Sequence, residues 1–252
     1  ICVCAYHTQT SMRKMCAEMR IIMIGIIGAM EEEVKALADM MSGVETTTVA
    51  GMVFKKGQLK GKNVVVVRSG IGKVNAAVCT QILADRYGVD CVINTGVAGS
   101  LKNEINIGDI VVSSDAVQHD MDATGFGYAM GVIPRMPVSV FKADRKLIDA
   151  AKAACREAVP EIGVFEGRVV SGDQFITDKD TKKGLVDTFA AYCTEMEGAA
   201  IAQAAYLNNI PFLVIRAISD KADDSASMDY GEFERKAIEH SVLLMENLVQ
   251  RI

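Results

Sequence analysis

Two textures alternate along most of this chain. Short runs of Val, Ile and small residues are followed by stretches in which apolar positions return every three or four residues. The runs 21–29 (IIMIGIIGA), 64–70 (VVVVRSG), 90–99 (DCVINTGVAG), 108–118 (GDIVVSSDAVQ), 167–175, 191–197 and 211–220 (PFLVIRAISD) read as strands. The stretches 30–41, 73–87, 144–158, 179–190, 198–208 and 230–251 read as helices, with Gly88 stopping the second. Val/Ile runs without strict alternation suit strands covered on both faces. Alternation of strand and helix then predicts an α/β fold with a largely parallel, doubly wound sheet and helices on each side. The segment 44–60 reads as a hairpin with turn glycines at Gly51 and Gly57. Residues 1–20 show neither period nor turn chemistry and are expected to be a loosely held extension. No repeat, linker or low-complexity stretch divides 21–252, which reads as one domain.

Composition narrows the partners. Half of the 252 residues are hydrophobic and 23% are charged, a globular balance with enough chain to bury a sizeable core. The net charge of −5, with no basic block, argues against nucleic acid as the main partner and against a membrane surface. The apolar run Ile21–Met30 falls short of the ~20 residues that span a bilayer. Arg13, Lys14 and Arg20 precede it, but Glu31-Glu32-Glu33 stands where the small-residue cleavage site of a secretory leader belongs. Seven cysteines, with no CxxC and no Cys/His cluster, fit reduced thiols in cytoplasm better than disulfides or a metal site.

In α/β sheets, ligands bind beyond the carboxyl ends of the strands. Those ends fall at 28–33, 69–73, 95–99, 171–176, 195–197 and 216–220. SGIGKV (69–74) lacks P-loop spacing, and TGVAG (95–99) lacks the dinucleotide-binding spacing. Their glycines instead let the backbone turn tightly, so that a flat heterocycle can lie against it near Ile71, Ala98 and Gly99. In the triplet Glu31–Glu33, carboxylates complement the helix dipole, yet successive side chains point about 100° apart. At least one can face the cleft and act as a general base on water. Glu195 and Glu197 fall on one face if their strand persists. They form either a structural ion pair with Arg168 or Arg216, or a pair of acceptors for vicinal sugar hydroxyls. Asp220 is either an ordinary N-cap or a general acid in an apolar setting. His7, His119 and His240 fit no nucleophile or zinc signature.

Taken together, GIIGAMEEEV (25–34), SGIGKVNAA (69–77), INTGVAGSL (93–101), GDIVVS (108–113), FKAD (141–144), VSGDQFI (170–176), EMEGAAIA (195–202) and RAISDKAD (216–223) resemble the 5′-methylthioadenosine/S-adenosylhomocysteine nucleosidases of the nucleoside phosphorylase superfamily. The resemblance runs from about Met23 to Arg251 and leaves out 1–20. It implies a three-layer fold with a mixed central sheet, no cofactor and no metal. The implied partners are a purine nucleoside and a second copy of the chain, in a cytoplasmic homodimer. The implied reaction is hydrolysis of the N-glycosidic bond of methylthioadenosine, adenosylhomocysteine and 5′-deoxyadenosine, in methionine salvage and recycling of S-adenosylmethionine by-products.

Residue by residue, the resemblance gives Glu33 the activation of water and Asp220 the protonation of purine N7, with Ser219 beside it. Glu197 would grip the ribose hydroxyls with Glu195 close by, Met196 would pack on the sugar, and Arg216 would orient Glu197. Phe175 would stack on adenine and the backbone of Ile176 would read its edge. Met30, Ile71, Phe126, Tyr128, Pro134 and Tyr230 would line the 5′-substituent pocket, part of loop 123–134 coming from the partner chain. Val97 stands where some members carry a serine near the acid, so that supporting contact is missing here.

The resemblance also implies that Glu33 and its neighbours occupy the segment that binds phosphate in related phosphorylases. A carboxylate about 4 Å from phosphate costs on the order of 4 kcal/mol at an effective dielectric of 20, and water meets no such cost. Hydrolysis is therefore expected over phosphorolysis. The alternatives are a nucleosidase for a futalosine-type substrate and a non-catalytic nucleoside binder. A binder has no use for a water-activating base.

Overall fold

The structure is a computed structural model that describes residues 22–220 and 230–252; side chains of the last helix are described from residue 235 onward. The expected extension at 1–20 lies outside the described residues.

Among the described residues, ten strands form one sheet: β1 (Met23–Gly28), β2 (Ser42–Val49), β3 (Met52–Leu59), β4 (Lys62–Arg68), β5 (Cys91–Ser100), β6 (Ile110–Gln118), β7 (Phe141–Lys142), β8 (Val164–Ser171), β9 (Cys193–Glu195) and β10 (Phe212–Asp220). Six α-helices are described: α1 (Glu31–Asp39), α2 (Lys73–Ile82), α3 (Arg145–Ala158), α4 (Lys179–Phe189), α5 (Gly198–Leu207) and α6 (Tyr230–Arg251). The helix expected over 73–87 changes pitch. It is α-helical to Ile82 and a π-helical turn from Leu83 to Tyr87, capped by left-handed Gly88.

β1 lies between β4 and β5 and runs parallel to both. β5 is parallel to β10, which is antiparallel to β6. β6 continues to β8 and β8 to β9, both parallel, and β9 returns antiparallel to β5. These five strands close a ring, and β1, β4, β3 and β2 extend from it as an arm. The sheet is mixed and flanked by helices, as the resemblance implies; with five parallel and five antiparallel pairings and a closed ring, it is less parallel than the strand–helix alternation predicts.

Side chains of successive strand residues serve opposite layers. Ile24, Ile26, Val64, Val66 and Ile93 pack with Leu37 of α1, Leu147 of α3 and Leu244 of α6. Ile27, Val65, Val67 and Val92 face the other way, onto Cys79 of α2 and Ile201 of α5. Burial on both faces is why these strands read as unbroken Val/Ile runs.

The hairpin at 44–60 is present, with one correction. Its turn is Ala50–Gly51, both at positive φ, as a two-residue hairpin turn requires. Gly57 is no turn residue but sits inside β3 opposite Val64, where a Cβ would come within 2.7 Å of the Ser42 carbonyl. The second turn falls at Lys60–Gly61, again at positive φ, and leads into β4.

Two strand ends shift at the cavity rim, and a third strand carries a bulge there. β8 starts and ends earlier than expected, leaving Asp173, Gln174 and Phe175 on a loop. β9 is only Cys193–Glu195, so Met196 lies on a bend and Glu197 is the N-cap of α5. β10 carries a bulge: Ile218 pairs with Ala98 and Asp220 with Gly99, leaving Ser219 as the extra residue. Bulges re-aim side chains next to sites, and this one sets Asp220 directly over Gly99.

Candidate active site

A cavity of about 240 Å³ opens at the strand ends of the ring. Four acidic residues line it together: Glu33, Asp220 and the neighbouring pair Glu195 and Glu197. Met196, Ser219, Ala98 and Gly99 are in its wall, and so are Met30, Ile71, Phe175 and Ile176. Phe175 is 71% exposed and forms the rim, whereas Ile176 packs back onto the cluster around Leu185 and Phe189.

Of the acidic triplet, Glu31 and Glu32 are exposed on the first turn of α1. Glu31 lies 3.8 Å from Arg68, a loose surface ion pair of little energetic weight. Glu33 turns inward and is 6% exposed. Its Oε2 accepts the backbone N–H of Ala29 at 2.6 Å and of Met30 at 3.0 Å, and its Oε1 accepts that of Val97 at 3.2 Å. A carboxylate offers about four lone-pair sites, so one is left for a water. Burial raises the Glu33 pKa; the charge of Arg216 and the three N–H groups oppose it. The outcome is a carboxylate more basic than usual yet fixed in direction, which suits a general base. A Cβ on Gly96 would fall 2.6 Å from Glu33 Oε1 and 2.9 Å from Arg216 Nη1, so this close approach requires glycine.

Glu195 and Glu197 separate in role because the strand does not persist. Glu195 is saturated: its oxygens take Ser171 Oγ, the N–H groups of Glu197 and Gly198, and the Arg216 guanidinium. Arg216 is 1% exposed and gives its hydrogen bonds to Glu195, Asn94 and the Ile215 carbonyl. Its distance to Glu197 is 3.9 Å. Arg216 thus holds Glu195 by hydrogen bonds and pairs with Glu197 at longer range, through charge. Glu197 accepts one N–H, from Gly72 at 2.8 Å, and keeps acceptor capacity toward the cavity.

Burial, followed by the charge of Glu195, pushes the Glu197 pKa from 4.5 up to about 7, against the pull of Arg216 and the Gly72 N–H. A carboxyl whose folded-state value is raised lowers stability as it ionises. The free protein therefore loses stability as pH rises from 4.5 to about 7 on this group's account. Glu197→Gln is expected to raise the melting temperature of the ligand-free protein at about pH 8, with the gain fading toward pH 5. Thermal melts across that range check this. A variant that melts lower than wild type at pH 8 would show that the carboxylate is not under tension.

Asp220 meets Lys182 of α4, whose Nζ lies 3.1 Å from Oδ2. The missing Cβ of Gly99 makes room, since a Cβ there would lie 2.9 Å from Oδ1. The Val97 side chain, part of the cavity wall, packs against the core and offers Asp220 no hydrogen bond.

Other expected positions lie apart. Phe126 is 88% exposed, Tyr128 is exposed and Pro134 half-buried, on the loop after β6; none lines the cavity within one chain. The Tyr230 side chain lies outside the described residues. His119 does not line the cavity; its ring fills the space beside Gly172, where a Cβ would come within 2.5 Å. His240 bonds the Gly108 carbonyl at 3.0 Å. Cys79, Cys91 and Cys155 are buried thiols pushed up to about 12, which removes them as nucleophiles.

The sequence reading missed Gln174, Thr194 and Lys182. Lys182 had a signal: it shares the apolar stripe of α4 with Leu185 and Phe189, and a charge at a core position demands a partner.

The family model described as "Phosphorylase superfamily" matches residues 23–250. A 5′-methylthioadenosine/S-adenosylhomocysteine nucleosidase of Shewanella loihica is 44% identical over 230 residues, covering 91% of this chain and 99% of its own. A nucleosidase of the same description from Colwellia psychrerythraea, solved in complex with adenine, matches with a TM-score of 0.85 at 40% identity, covering 92% of this chain and 96% of its own. A futalosine hydrolase of Helicobacter pylori matches with a TM-score of 0.86 at 34% identity, covering 93% and 100%. Fold and family match together define an α/β protein of the phosphorylase superfamily. Within that class the chain belongs to the 5′-methylthioadenosine/S-adenosylhomocysteine nucleosidase family, and it is an N-glycosyl hydrolase.

Proposed function

We propose that the chain hydrolyses the bond between adenine and ribose in 5′-methylthioadenosine and S-adenosylhomocysteine, and in 5′-deoxyadenosine. The observation that carries this reading is the meeting of Glu33, Glu197 and Asp220 in one cavity. Breaking the C1′–N9 bond sends its electron pair to the purine and leaves an oxocarbenium-like sugar. Asp220 gives a proton to N7, so that neutral adenine departs. Glu33 takes a proton from the water that adds to C1′. Glu197 accepts hydrogen bonds from the ribose hydroxyls, and carboxylates around the cationic sugar stabilise it in a water-poor cavity. Ala98 and Gly99 floor the base pocket, Phe175 closes over it and Met196 lies against the sugar.

Four carboxyls, Glu33, Glu195, Glu197 and Asp220, face two cations, Arg216 and Lys182, and Arg216 spends four of its five N–H groups on Glu195, Asn94 and the Ile215 carbonyl. This balance supports water over phosphate as acceptor. The exposed Phe126 and Tyr128 support a homodimer in which loop 123–134 completes the 5′ pocket of the partner. The place of the reaction is the cytoplasm, and its role is methionine salvage.

A panel of methylthioadenosine, adenosylhomocysteine, 5′-deoxyadenosine and a futalosine-type nucleoside, with products separated by chromatography, tests the substrate assignment. Adenine from the first three is expected. Turnover of the futalosine-type nucleoside alone would replace this reading with that of the Helicobacter pylori relative.

A further inference from the structure

Lys182 is a charged residue in a place built for an apolar one. It is 5% exposed and sits on the inward face of α4, in line with Leu185 and Phe189. The helix is anchored one turn earlier, where the Asp178 side chain caps it by accepting the Thr181 N–H at 2.8 Å. From there the lysine reaches across to the end of β10 and places Nζ 3.1 Å from Asp220 Oδ2. The bulge at Ser219 and the absent Cβ of Gly99 bring the carboxyl to the same point from the other side. Three separate elements, α4, β5 and β10, thus converge on one carboxyl group.

We infer that Lys182 is a positioning residue for the general acid: its ammonium takes one oxygen of Asp220, so that the other is presented to the leaving base, and it compensates the negative charge that appears on Asp220 as the proton leaves. This rests on the role of Asp220 given under Proposed function. Charge that develops during the reaction is stabilised best by a donor already in place, in a site without water. A long lysine side chain in water would surrender most of this effect to screening and side-chain entropy. Here the ammonium is buried and its helix is fixed.

The prediction separates leaving groups. Adenine needs a proton to depart, whereas a 4-nitrophenolate does not. Lys182→Met keeps the length of the stem and suits the apolar stripe with Leu185 and Phe189, so the variant is expected to fold. Its kcat for methylthioadenosine should fall roughly tenfold or more, as for other small misplacements of a reacting group, with KM changed less than about threefold. Its kcat for a 4-nitrophenyl 5-methylthioriboside should stay within about threefold of wild type. Lys182→Arg should recover most of the lost kcat, because it restores a cationic donor at the same carboxyl. Lys182→Gln serves in place of the Met variant if that one does not fold.

Equal losses on both substrates, or no loss on methylthioadenosine in a folded variant, would overturn the inference. Asp220→Asn, measured alongside, keeps the two levels apart. If it turns over methylthioadenosine like wild type, the acid assignment itself fails. If it is inactive while Lys182→Met is unaffected, only the role of Lys182 falls.

Discussion

Asp220→Asn is expected to lose about 10²- to 10⁴-fold in kcat for methylthioadenosine while KM stays close to the wild-type value. The geometry gives the reason for the split. An asparagine can direct its carbonyl oxygen to Lys182, as Asp220 Oδ2 does now, and so keep the contact at 3.1 Å. Its amide then donates a hydrogen bond to purine N7, so the base still binds. What it cannot do is release that proton. The loss therefore appears in the chemical step. A purine anion is a poor leaving group, and proton transfer to it is a large part of the barrier. Steady-state kinetics at saturating substrate give the answer. Turnover near the wild-type rate would remove Asp220 from the mechanism.

Glu33→Gln is expected to cost a similar 10²- to 10⁴-fold in kcat, and also some stability. The carboxylate accepts N–H groups on both oxygens, from Ala29 and Met30 on one and from Val97 on the other. An amide has one oxygen. If that oxygen keeps Ala29 and Met30, the NH₂ group faces the Val97 N–H, and a buried donor is left without an acceptor at about 1–3 kcal/mol. Relief from burying a charge offsets part of this, since burial raises the Glu33 pKa. The remaining lone pair, the one that would receive a proton from water, is gone. Thermal melts and kinetics on the same preparation separate the two effects. A variant that melts lower but turns over normally would make Glu33 a structural anchor.

The two residues also show what can be read from a sequence. That one of three adjacent glutamates can turn inward follows from helix geometry, because successive side chains point about 100° apart. Which one does so depends on Gly96 and Val97, some sixty residues later, and no local pattern carries that. Most strands were legible because burial on both faces writes a Val/Ile run into the chain. The ring was not, because β9 contributes only three residues and its pairing with β5 is long-range. The early end of β9 had a further consequence. It separated Glu195 from Glu197, leaving one saturated against Arg216 and the other open to the cavity. The bulge at Ser219 was invisible for the same reason: the sequence FLVIRAISD looks like an ordinary buried strand to its end. Lys182 is the instructive omission. Its position in an apolar stripe marks it as paired, but its partner lies 38 residues away and is found only in three dimensions.

The hydrolytic claim comes down to where one oxygen atom ends up. Incubation of the protein with methylthioadenosine in ¹⁸O-labelled water, with inorganic phosphate present in excess, followed by mass spectrometry of the sugar product, reads this directly. The expected result is free methylthioribose carrying the heavy oxygen at C1, formed at a rate that added phosphate does not change. A sugar 1-phosphate containing no label, formed only when phosphate is supplied, would contradict the account.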